Sequence, residues 1–117
     1  MFLSKIIIRN VSCVSYSPDN NLIATGSYDG MIYIWWVGCN NWNDDDDFGK
    51  EILQLKGHTD IVYCLQFLEN SSILISVGRD NSIILWNLDM DNKEKLGTII
   101  NSILCSDQNN EIIITNV

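Results

Sequence analysis

From Val11 to Val37 the chain repeats itself 51 places later, from Val62 to Leu88, without a gap. Val11/Val62, Cys13/Cys64, Asp29/Asp80, Ile32/Ile83 and Trp35/Trp86 are identical, and Tyr16/Phe67, Leu22/Ile73, Thr25/Ser76 and Ile34/Leu85 are close substitutes. A unit that recurs in register adopts one conformation twice and buries its faces by stacking on its own copies. Inside the unit the pattern is that of strands. Residues 61–67 place apolar side chains at 61, 63, 65 and 67, while 73–77 and 83–86 are apolar almost throughout, as in strands covered on both faces. Ile occurs 18 times and Asn 14 times, a mixture of strand and turn formers. The turns are explicit. Ser17-Pro18-Asp19-Asn20-Asn21 combines a fixed proline φ with side chains that bond their own backbone, and Asp29-Gly30 supplies the positive φ of a tight hairpin. Strands are therefore expected near 11–16, 22–27, 31–36, 61–67, 73–78 and 82–87.

The second unit opens on Gly57-His58 and closes on Trp86-Asn87. In this it resembles a WD repeat, with Trp-Asn where that family more often has Trp-Asp. The first unit matches more loosely, because Ile6-Ile7 occupy the place of Gly-His. The resemblance implies an all-β fold, a β-propeller of four-stranded antiparallel blades of roughly 40 to 45 residues each. On that scale the chain reads as a propeller fragment of about two and a half blades. Residues 1–10 would be a strand of a preceding or closing blade, 11–56 the first repeat, 57–100 the second and 101–117 a truncated third. The 51-residue spacing exceeds the family's by about ten residues. The surplus is a polar insert at 38–49 that contains Asp44 to Asp47. Outer strands are expected at 51–55 and 96–100, and the third repeat would begin with strands at 103–105 and 112–115.

The resemblance also marks His58, Ser76, Asp80 and Trp86 as a hydrogen-bonded network within one blade, with Thr25, Asp29 and Trp35 as an incomplete counterpart. The donor and acceptor inventory supports this. Indole donates, a hydroxyl does both, neutral imidazole does one of each, and carboxylate accepts. The same His, Ser and Asp also invite a hydrolase reading. Nothing in the sequence supplies a nucleophile elbow or an oxyanion hole, so a non-catalytic protein is expected. Metal and cofactor sites are not expected either. Asp44 to Asp47 fail the EF-hand calcium pattern, with Phe48 at its fifth position and no Glu at its twelfth. Cys13, Cys39, Cys64 and Cys105 form no Cys-x-x-Cys pair and have no histidine at zinc spacing.

Alternate connections of an antiparallel meander emerge on the same side, so 28–30, 57–60 and 79–81 share one face. There Tyr28 and Arg79, residue types enriched in binding hot spots, and the neighbouring Asp60 are the expected partner-binding positions. Fifteen acids against seven scattered bases give a net charge of −8, which disfavours direct nucleic-acid binding and is compatible with basic partners or with simple solubility. No run approaches membrane-spanning length, and the first residues lack a small-residue cleavage site. An intracellular protein, cytoplasmic or nuclear, is expected. The resemblance implies a protein–protein interaction scaffold that organises a multiprotein complex. Asn41-Trp42, ahead of the acidic run Asp44 to Asp47, and the run Lys56 to Tyr63 after the insert are similar to propeller subunits of chromatin-assembly histone chaperones, which would make histones the partners.

Overall fold

The computed structural model describes residues 10–38 and 49–104. Within them β1 (Val11–Tyr16), β2 (Leu22–Ser27), β3 (Met31–Trp36) and β4 (Lys50–Lys56) form one antiparallel sheet in sequence order. A second sheet follows in the same order from β5 (Val62–Phe67), β6 (Ile73–Gly78), β7 (Ser82–Asn87) and β8 (Ile99–Leu104). The all-strand architecture has two four-stranded blades, and the described residues contain no helix able to cross a membrane. Even the irregularities recur. The pairing of β1 with β2 shifts between Val11 and Cys13, that of β5 with β6 between Val62 and Cys64. The outer pairs shift between Ile34 and Trp35 and between Leu85 and Trp86. Bulges at matching places bend and twist the two sheets alike, which is what lets one stack on the other.

The sheets meet through β5, which packs on β1 and β2. Ser12 Oγ donates to the Val62 carbonyl at 2.5 Å, and the Cys13 thiol lies 3.4 Å from the same oxygen. A single apolar cluster runs through both sheets, with Ala24, Ile34, Leu55, Val62, Leu74 and Trp86 among its members. Leu55 on β4 is 1% exposed, whereas Ile103, at the same register position of β8, is 48% exposed. The second sheet covers the first; among the described residues nothing covers β8.

The outer strand of the second blade differs from the sequence expectation. It spans 99–104 instead of 96–100, because Leu96 and Gly97 belong to the preceding turn. The Leu96 N–H bonds to the Asn92 carbonyl at 3.0 Å, and Gly97, at φ 81°, donates to the Asn87 carbonyl at 2.7 Å. Ser82 then pairs with Leu104 as Met31 pairs with Lys56. Residues 103–104 thus belong to the second sheet, and the boundary expected between 100 and 101 falls inside β8. The strand expected within 1–10, that expected at 112–115, and the acidic part of the insert lie outside the described residues, residue 10 excepted.

Candidate functional site

The hairpin between β6 and β7 reverses the chain through Arg79, Asp80 and Asn81, with Asn81 at φ 64° and its N–H bonded to the Gly78 carbonyl at 3.2 Å. This turn holds Asp80 against the 57–60 connection. The Thr59 N–H donates to Asp80 Oδ2 at 2.9 Å, and the Ser82 N–H and Oγ–H donate to Oδ1 at 3.1 and 2.6 Å. His58 Nδ1 lies 3.1 and 3.2 Å from the two carboxylate oxygens and 2.9 Å from Ser82 Oγ. Its Nε2 lies 2.7 Å from Ser76 Oγ, which accepts the Trp86 indole N–H at 2.8 Å.

One assignment of protons satisfies the set. Trp86 donates to Ser76, the Ser76 hydroxyl donates to Nε2, and Nδ1–H donates to Asp80. The structure thus brings His58, Ser76, Asp80 and Trp86 into one chain of bonds running from the rim of the sheet to its core. Ser82 is a member that sequence reasoning missed. The signal was a hydroxyl two residues after a turn aspartate, a spacing that favours local bonding to the turn. Met31 occupies that place in the first sheet and has no such group.

The first sheet brings together only part of its counterpart. Trp35 Nε1 donates to Thr25 Oγ1 at 2.9 Å. Asp29 instead serves its own turn, accepting the Met31 N–H at 3.0 Å. In the second sheet the imidazole of His58 spans the gap between the turn carboxylate and the core hydroxyl, and position 7, its equivalent, is Ile.

Burial opposes ionisation of Asp80, but hydrogen bonds from the Ser82 hydroxyl, the Thr59 N–H, His58 and the Ser82 N–H outweigh it. They hold the carboxyl down to about 2 from its ordinary 3.8. A depressed folded-state pKa stabilises the fold above the unfolded value and loses that contribution as pH falls through the folded one. Asp80 should therefore support the fold fully above 3.8 and lose its contribution between 3.8 and about 2. Denaturant titrations across this window should show stability falling with acid, and Asp80→Asn should flatten that slope. An unchanged slope would contradict the assignment.

The expected partner-binding residues lie on the rim above this network. Tyr28 is 57% exposed and the Arg79 side chain 59%, and Arg79 Nε stands 3.8 Å from Asp60 Oδ2. The turn that carries Tyr28 sits directly on the 58–60 backbone. A Cβ at Gly30, which has φ 88°, would lie 2.5 Å from the His58 carbonyl oxygen and 2.9 Å from that of Asp60. Glycine is required there on both counts. The turn that carries Tyr28 thus abuts the connection that carries Asp60, and the Asp60–Arg79 ion pair, this exposed, adds at most about 1 kcal/mol to stability.

Comparison with known proteins agrees with this architecture. The family described as "WD domain, G-beta repeat" matches residues 6–35 and 49–87, more than half of the chain. Among curated relatives, a probable cytosolic iron-sulfur protein assembly protein 1 of Kluyveromyces lactis is 29% identical over 82 residues, 69% of this chain and 25% of that protein. WD repeat and SOCS box-containing protein 1 of Danio rerio is 32% identical over 84 residues, 71% of this chain and 17% of that protein. The chain thus spans a quarter or less of the length of these two relatives. The β-propeller domain of Myceliophteria thermophila Cps50 (Swd1) superposes with a TM-score of 0.69 at 20% identity, over 86% of this chain and 26% of that one. Repeated sheets, a Trp-to-Ser-to-His-to-Asp chain of hydrogen bonds and a family match over most of both repeats lead to one conclusion: the chain belongs to the WD-repeat family, and its described residues form two blades of a β-propeller.

Proposed function

We propose that these blades form part of a non-catalytic interaction scaffold inside the cell, and that Tyr28, Asp60 and Arg79 contact a protein partner. The observation that supports this reading is that the turn carrying Tyr28 abuts the 58–60 connection, whose Asp60 lies beside Arg79. An aromatic ring, a guanidinium and a carboxylate are exposed together on a backbone that the network below holds in place. The network itself serves to brace the fold. His58 joins Ser76 and Asp80 in the bonding order of a hydrolase triad, yet Ser76 is 0% exposed and its oxygen is capped by the Trp86 indole. A nucleophile has to reach its substrate, so the burial of Ser76 argues for structure over hydrolysis. The net charge of −8 favours basic partners, histones included, and the scaffold would organise the complex that such a partner joins.

Photocrosslinking tests the reading in the host cell. A photoreactive residue at position 28 or 79 should capture a discrete protein that is not captured from Gln54, an exposed position on β4. Adducts of equal yield from Gln54, or hydrolytic turnover that disappears in Ser76→Ala, would contradict it.

A further inference from the structure

At the opposite end of the sheets the seam between the blades opens into a groove of about 310 Å³. The first blade contributes Asp19 and Trp36, the second Leu88, Asp89, Met90 and Asp91. Leu88 is buried and forms the floor, while Trp36 and Met90 are half-buried and packed against the core. Three carboxylates and no lysine or arginine line the opening.

Two of the three carboxylates, Asp19 and Asp89, are held by turn bonds before anything binds. Asp19 Oδ1 accepts the Ser17 hydroxyl at 2.6 Å and the Asn21 N–H at 3.0 Å. The Asp19 N–H reaches across the seam to Ser71 Oγ at 3.3 Å. Asp89 Oδ1 accepts the Asp91 N–H at 3.0 Å, and the Asp91 carboxylate is exposed with no bond among the described residues.

We propose that this groove receives a lysine or arginine side chain from a basic segment of a protein partner. The apolar stem would lie along Trp36, Leu88 and Met90, and the cation would stand among Asp19, Asp89 and Asp91. Long cationic side chains bury their methylenes on apolar surface while keeping the charge in a polar field, and an indole adds attraction for the cation. The volume is at the lower end for ligand pockets, which suits one side chain better than a whole small molecule. A bare metal ion fits poorly, since the described residues hold no group of three His, Cys, Asp or Glu spaced to ligate one. The proposal rests on the scaffold reading only in requiring a protein partner, and it adds a second binding face opposite Tyr28 and Arg79.

The test uses the 117-residue chain and a fluorescent peptide of alternating alanine and lysine, with an alanine–glutamate peptide as its counterpart. Anisotropy should report binding of the lysine peptide only, weakening as salt is added. The Asp19→Asn/Asp91→Asn double variant, which preserves the turn bonds, should lower affinity about tenfold or more. The Glu51→Gln/Glu94→Gln variant removes the same charge at exposed positions that do not line the groove and should bind like the parent. Equal loss in both double variants would reduce the effect to net charge and overturn the proposal, as would failure of the lysine peptide to bind. If that peptide fails while crosslinking from positions 28 and 79 persists, the groove is wrong and the scaffold reading stands.

Discussion

Trp86→Ala is expected to cost about 3–5 kcal/mol, the range for deleting a fully buried large aromatic side chain. Trp86 is 1% exposed and is the largest of the fully buried side chains described. Its loss would open a cavity beside Leu74 and Ile84 and remove the donor that holds Ser76. The repeat supplies an internal control. Trp35, its counterpart, is half-buried, tilts against Tyr33 at a centroid distance of 6.2 Å and makes its bond to Thr25 alone. Trp35→Ala should therefore cost less than Trp86→Ala when both are measured by urea titration. Equal losses would mean that the network adds nothing to burial.

Gly26→Ala should destabilise the seam by about 1–3 kcal/mol, the usual result of overfilling a packed site. An added Cβ would lie 2.7 Å from Cys13 Sγ and 2.7 and 2.8 Å from Cγ1 and Cβ of Val62. The thiol can swing away. The Val62 Cβ is tied to the first residue of β5, so relief requires moving the strand, and with it the second blade. Alanine would otherwise be preferred over glycine in a strand, by roughly 0.5–1 kcal/mol. Any net loss therefore measures the collision. Val77 stands at the equivalent place of the second sheet, where no described strand packs against it. Adding Val62→Ala to Gly26→Ala should recover part of the loss, whereas a neutral Gly26→Ala would show that the blades are not packed this closely.

The sequence was most legible where two signals coincided. Strands β1, β2, β3, β6 and β7 begin and end where the repeat and its hydrophobic pattern place them, and β5 starts one residue later, at Val62. Turn chemistry fixed the ends, since Pro18, Asp19 and Asp29-Gly30 leave the chain few other conformations there. The pattern misled at β8. Asn101 and Ser102 interrupt the apolar run and look like a division between units, yet on an outer strand they pair with Leu85 and Ile84 and remain exposed. Polar residues there cost little, because no described element covers them. The network members could be named because the family resemblance marks them, and their donors and acceptors can satisfy one another. The role of Ser82 depends on how the turn orients its hydroxyl, and the seam groove depends on residues from two blades that are adjacent only in the fold.

A double-mutant cycle between His58→Ala and Trp86→Phe tests most directly whether the polar chain works as one brace. The two side chains do not bond to each other; both bond to Ser76. Each substitution alone leaves buried partners unsatisfied, at about 1–3 kcal/mol per orphaned group. Once one has broken the chain, the second has less to disrupt. The double variant should therefore lose less than the sum of the two single losses, with a coupling of about 0.5–3 kcal/mol. Strict additivity would contradict the account, because it would make His58 and Trp86 independent residues that happen to share a neighbour.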